Sequence, residues 1–175
     1  MEYTLDELKE IWKDKINGFR DKDIFCLYID NPFCIKKCKF CIYSPTETKI
    51  GSDLYKKYYT EMLPGEIEKF KEILNLRVPD SIYFGGGTAS LMTEEIMEDI
   101  FSKIPNFKEI KNKVFENHPA MLTKRKIDIF AKYNFTYLSF GIQSFNKEII
   151  LEQSRILFNI NKVQELIQYA KEKYT

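Results

Sequence analysis

Cysteine and histidine are scarce in this 175-residue chain, which has four of the first and one of the second. Such counts leave no material for a dense disulfide framework or for a site built from several histidines. An excess of charge of one sign is missing too. Lysine and arginine number 27 against 26 aspartates and glutamates, a net charge of +1, so nothing marks a broad surface for nucleic acid or an anionic membrane. No apolar run approaches the ~20 residues that cross a bilayer. The opening Met1-Glu2-Tyr3-Thr4-Leu5-Asp6-Glu7 is acidic and polar, unlike a secretory signal. Low-complexity tracts and internal repeats are absent. These absences lead us to expect a cytoplasmic protein with reduced thiols and with neither nucleic acid nor membrane among its partners. The length suits one domain with its own core, over residues 1–175, and is too short for two ordinary ones.

What is present is an alternation of short β-rich runs and helical patterns. Thr4-Leu5-Asp6-Glu7 reads as a capping box that opens a helix over 4–18, with Leu5, Leu8, Ile11, Trp12 and Ile16 on one face and Gly18 as the stop. Strand-like runs follow at Ile24–Ile29, Ser81–Phe84, Lys113–Glu116 and Tyr137–Gly141. Helical stretches come after each of them, near 52–74, 93–103, 123–133, 146–153 and 160–173. Four β–loop–α units over 24–175 predict an α/β fold, a parallel sheet with helices on its outer face. Pro64-Gly65 falls inside the first long helical pattern, so a kink or break is expected there. The face that runs through Tyr55, Tyr58, Tyr59, Met62, Ile67, Phe70 and Leu74 still reads as packed on the sheet.

In such folds chemistry gathers in the loops at the C-terminal ends of the strands, and every unusual motif here lies in one. The first loop holds three cysteines within eight residues, Cys34, Cys38 and Cys41. Three thiolates at this spacing suit one face of an iron–sulfur cluster and leave one iron open; the alternative is structural zinc, with His118 as a distant fourth ligand. Lys36, Lys37 and Lys39 either offset the cluster's charge or are solvated. Cys26, in the apolar run Ile24–Ile29, reads as a small buried side chain on a strand. The second loop, Gly85-Gly86-Gly87-Thr88, either lets backbone approach a ligand or makes a tight turn. The third, Glu116-Asn117-His118-Pro119, offers a carboxylate; its histidine reads as incidental or as support for other residues. The fourth offers Gln143 for a ribose, and Arg155 follows for a carboxylate.

Taken together and in this order, these segments resemble the radical SAM superfamily, and within it the subgroup like oxygen-independent coproporphyrinogen III oxidase. The resemblance rests on Cys34-x3-Cys38-x2-Cys41 with Phe40 before the last cysteine, on Tyr83-Phe84-Gly85-Gly86-Gly87-Thr88, on Glu116-Asn117-x-Pro119 and on Ser139-Phe140-Gly141-Ile142-Gln143-Ser144-Phe145. It covers about Ile24 to Arg155. It implies a partial TIM-like barrel with a [4Fe–4S] cluster on Cys34, Cys38 and Cys41 and S-adenosylmethionine (SAM) chelating the open iron. Phe40 would lie by the adenine and Tyr28 near the methionine moiety. Gly86, Gly87 and Thr88 would receive the amino end, and Glu116, Gln143 and Arg155 the remaining polar groups. An electron donor such as flavodoxin or ferredoxin would feed the cluster. The 5′-deoxyadenosyl radical would then take hydrogen from a small-molecule or peptide substrate, which could be a tetrapyrrole, a peptide or a methyl acceptor.

The chain departs from the subgroup's pattern at several places. Asp30-Asn31-Pro32 stands where His-x-Pro is usual, Ala89 where proline follows the glycines, and Tyr43 where true coproporphyrinogen oxidases carry a further cysteine. Tyr43 brings in a second possibility, a heme-binding chaperone, and a third is a shortened protein that holds a cluster without catalysis. The sequence ends at Lys173-Tyr174-Thr175, where the subgroup's fifth strand would begin, as expected of a fragment of a longer protein, a shortened homologue or one half completed by a partner chain. Tyr137–Gly141 is therefore expected at a sheet edge, apolar and uncharged, and open to a second copy or a partner chain.

Overall fold

The computed structural model describes residues 3–174. Thr4 caps the first helix, α1 (Leu5–Asn17): its hydroxyl accepts from the Glu7 amide while the Glu7 carboxylate accepts from the Thr4 amide. The main sheet holds β1 (Cys26–Asn31), β4 (Ser81–Gly86), β5 (Asn112–Asn117) and β6 (Tyr137–Phe140), side by side in that order and all parallel. Between β1 and β4 lie a small ribbon, β2 (Phe33–Cys34) with β3 (Thr46–Glu47), and a long helical segment. That segment runs through α2 (Asp53–Lys57), a π-turn (Tyr58–Met62) and α3 (Leu63–Leu76). The remaining helices are α4 (Glu94–Lys103), α5 (Lys124–Lys132), α6 (Lys147–Glu152) and α7 (Ile160–Lys173). Side chains of Ser52, Thr93, Thr123, Asn146 and Asn159 cap their helices, each accepting from a backbone amide of the first turn.

Helices α3, α4 and α5 form a layer on one face of the sheet. The core lies there: Ile82, Phe84 and Phe115 from the strands meet Met97, Ile100, Phe101, Ile127, Phe130 and Phe135, all buried. Phe84 is the hub, with its ring 5.1 Å from Phe101 and 5.4 Å from Phe115. Strand alternation sends Tyr28, Tyr83, Val114 and Tyr137, which lie in register across the sheet, to the opposite face. Tyr28 and Tyr137 are exposed there.

Three expectations change. Strand β1 begins at Cys26, not Ile24, because the Phe25 amide is taken by the Asp80 carboxylate at 2.8 Å and pairing starts at Cys26 with Ser81. That parity turns Cys26 to the open face, so it is exposed rather than buried, and its sulfur accepts from the Ser81 hydroxyl at 3.0 Å. The helix around Pro64 does not break. A π-turn precedes it, in which the Leu63 amide reaches back to Tyr58 O. This wider turn lets the chain pass the amide that proline lacks. It also moves the inward face by one residue: Leu63 is buried and Met62 is exposed.

Candidate functional site: a cysteine-lined cavity beside a polar cleft

The cysteine loop is held at both ends. Phe33, buried next to Cys34, packs its ring 5.2 Å from Tyr58 and 6.0 Å from Tyr59. The ribbon closes behind it, where Thr46 N donates to Pro32 O (2.7 Å) and Thr48 N to Cys34 O (2.9 Å). At the far end Lys39 N donates to Gln153 O at 2.9 Å. Cys34, Cys38 and Cys41 are free thiols, partly exposed, and all three line one cavity with Phe40, Thr88, His118 and Arg155. Cys34 Sγ lies 3.2 Å from Thr88 Oγ1, and Arg155 Nη1 donates to Cys38 Sγ at 3.5 Å. Burial pushes the Cys34 thiol up, against a smaller downward pull from its hydrogen bond with Thr88. Lys36, Lys37 and Lys39 are exposed.

Beside this cavity, and sharing Gly87, Thr88, His118 and Arg155 with it, lies a polar cleft of about 290 Å³. Its walls come from the ends of three strands: Gly87 and Thr88 after β4, Glu116, Asn117 and His118 at the end of β5, and Ser139, Phe140, Gly141 and Gln143 from β6 onward. The volume is at the low end of small-molecule sites, roughly 300–1,000 Å³. A larger hollow of about 820 Å³ near α6 and α7 is mainly apolar and has neither cysteine nor carboxylate among its lining residues.

Glu116 accepts from the Tyr83 hydroxyl, and the Tyr83 ring stacks on Tyr28 at 5.6 Å. Burial and the Glu116 carboxylate together push the Tyr83 phenol up. Arg155 Nη2 donates to Gly141 O, which holds the guanidinium against the last loop. Among the described residues, the buried side-chain atoms without a partner are Asn117 Oδ1, His118 Nε2 and Arg155 Nε. All three residues line this cleft. Buried polar atoms are nearly always paired, so their convergence marks a place for a polar ligand.

Most of the sites expected from sequence therefore come together: Gly87, Thr88, Glu116, Gln143 and Arg155 in the cleft, with Phe40 and the three cysteines next door. Tyr28 and Gly86 line neither cavity. Asn117 and Ser139 were not foreseen, and only their place in the same loops hinted at them. His118, expected as incidental or as support, is buried, and burial reinforced by the Arg155 charge lowers its pKa to about 4.

A sequence profile of the radical SAM superfamily matches residues 28–175. The chain belongs to that superfamily. Its relatives include heme chaperones and coproporphyrinogen III oxidase-like proteins. The heme chaperone HemW of Buchnera aphidicola (subspecies Schizaphis graminum) is 30% identical over 132 residues, 74% of this chain and 35% of that protein. The oxygen-independent coproporphyrinogen-III oxidase-like protein HemZ of Bacillus subtilis is 29% identical over 142 residues, 75% of this chain and 28% of that protein. The solved Escherichia coli coproporphyrinogen III oxidase HemN, described as a radical SAM enzyme, superposes with a TM-score of 0.74 at 22% identity, over 90% of this chain and 36% of HemN. The subgroup is thus HemN-like. The fold is a part of a TIM-like radical SAM barrel, and the chain spans about a third of the length of these relatives. No helix among the described residues is long and apolar enough to cross a membrane.

Proposed function

We propose that this radical SAM chain binds a [4Fe–4S] cluster through Cys34, Cys38 and Cys41, and binds SAM in the adjoining cleft. The cluster, once bound and reduced by an external donor such as flavodoxin or ferredoxin, would supply the one electron that cleaves SAM's S–C5′ bond to methionine and a 5′-deoxyadenosyl group, which would take hydrogen from a substrate. The observation that carries the proposal is the shared wall. Three unbridged thiols face one cavity that opens beside a cleft with three unpartnered buried polar atoms. The chain's own residues position the ligand: Thr88 and Gly87 from the β4 loop, Glu116 oriented by Tyr83, and Gln143 and Arg155 from the last loop. Phe40 offers aromatic surface in the cysteine cavity, while Tyr28, which lines neither cavity, reaches the site only through the Tyr83 ring it stacks on.

Anaerobic reconstitution with iron and sulfide tests this. About four irons and four sulfides per chain are expected, lost on replacing Cys34, Cys38 or Cys41 by Ala but kept in Cys26→Ala. With a reductant, the loaded protein should convert SAM to 5′-deoxyadenosine. Stoichiometric zinc without iron uptake would overturn the proposal. A second reading, heme handling without turnover, is supported by Tyr43 in place of the extra cysteine of true coproporphyrinogen oxidases and by similarity to heme chaperones. Tight heme binding with no 5′-deoxyadenosine formed would favour it.

A further inference from the structure

The backbone amide of His118 donates to Ser90 Oγ at 2.8 Å, which fixes the residue's place at the end of β5. Its ring nitrogen Nδ1 accepts from the Ala120 amide at 3.2 Å. With Nδ1 acting as an acceptor, the proton of the neutral ring resides on Nε2. That Nε2–H is buried and has no partner, although the whole residue is only 8% exposed. An unpaired buried donor is costly to leave in place, and the residue that carries it lines both the cysteine cavity and the polar cleft. Arg155 repeats the pattern: its Nε is buried and unpartnered, and it too lines both cavities. The ring is also kept neutral, because burial and the Arg155 charge lower its pKa to about 4.

A seam flanked by two free N–H donors and a guanidinium charge selects an anionic oxygen. On SAM, the single anionic group is the carboxylate. Resting on the function proposed above, we infer that His118 is a binding residue whose Nε2–H donates, together with Arg155, to the carboxylate of SAM where the cleft meets the cysteine cavity. Glu116, with the Tyr83 hydroxyl already on its carboxylate, is left for SAM's donor groups. Asn117 Oδ1, buried and unpartnered in the same cleft, is a further acceptor for them.

The test compares SAM with its decarboxylated analogue on the reconstituted protein, by equilibrium binding under anaerobic conditions, with iron content measured alongside. His118→Ala should weaken SAM roughly tenfold, the worth of one hydrogen bond to a charged group. The analogue should change less than about twofold and iron content should hold, and His118→Gln, which keeps an N–H donor, should recover most of the loss. An equal loss for both ligands, no loss at all, or a Gln variant no better than Ala would overturn the assignment. Iron-loaded unmodified protein that binds no SAM would overturn the function proposed above and this assignment with it.

Discussion

At the residue scale Gly86 sits at φ = 100°, a backbone conformation that side chains rarely adopt. A Cβ placed there would meet the Asp30 carboxylate and lie 2.7 Å from Asn31 O and 2.8 Å from Asn31 N. Gly87 is pressed in the same way, with the Phe33 carbonyl carbon 2.9 Å from its would-be Cβ. The glycines after β4 therefore make room first for the chain's own cysteine loop. Gly86→Ala should lower stability by about 2 kcal/mol, the cost of a side chain held in a disfavoured backbone region, and disturb the cysteine loop with it. Gly65→Ala is the counterpart, because nothing lies within 4 Å of its would-be Cβ. It should stabilise by about 0.5–1 kcal/mol, as helical Gly→Ala changes do. Urea unfolding of the two variants checks both signs. The sequence makes clear that these positions want glycine, but it does not tell which neighbour presses on them. The sequence could not assign His118 a role for a related reason. A lone histidine has no pattern around it, and its unpartnered nitrogen exists only once Ala120 and Ser90 are in place.

At the scale of elements, the helical segment after the cysteine loop works as a brace. Its three tyrosines each reach a different point of the site's floor: Tyr55 Oη donates to Leu91 O at 2.8 Å, Tyr58 Oη to Asp30 O at 2.7 Å and Tyr59 Oη to Asn31 Oδ1 at 2.9 Å. Asn31 is fully buried, and its Nδ2 in turn donates to Gly85 O at 2.9 Å, so the brace extends from the helix to the end of β4. Tyr59→Phe should cost about 1–3 kcal/mol, the penalty for a buried acceptor that loses its donor, although the ring volume is kept. Thermal or urea unfolding against the unmodified protein measures it, and an unchanged midpoint would mean that Asn31 finds another donor. The strands of the main sheet and the α-helices were readable in the sequence to within about two residues, because period-two and helical spacing follow from burial alone; the short β2–β3 ribbon was missed. The π-turn was not. Its cause is the interplay of Pro64 with tyrosines that must face inward at consecutive positions, and no periodicity expresses that. The buried lysines were equally hidden. Lys126 donates to Ser90 O (2.7 Å) and Met121 O (3.0 Å), and Lys113 is satisfied by backbone carbonyls as well, yet in a sequence each looks like surface charge.

For the molecule as a whole the sheet is the governing feature. Strand β6 pairs with β5 on one side only, as expected from the sequence, and Leu138 and Phe140 line a shallow apolar hollow with Ile167, Ala170 and Tyr174. Parallel strands are ordinarily covered on both faces, and an unpaired apolar edge is a template for association. The 175-residue chain should therefore associate at micromolar concentration in sedimentation experiments, and Tyr137→Lys, which places a charge on the exposed face of the edge strand, should reduce that association. A monomer at all concentrations would show that this edge is protected by other means.

The cysteine loop lies near the start of the chain, but its far wall is made by residues much later. Lys39 is tied to Gln153, and Cys38 takes its hydrogen bond from Arg155, 117 positions on. During synthesis at about 5–20 residues per second, an interval on the order of ten seconds separates the first of these from the second. Over that time the nascent thiols stand without their cover. Anything that reaches them on the ribosome meets half a pocket, and the wall that Arg155 supplies is complete only once that residue has emerged.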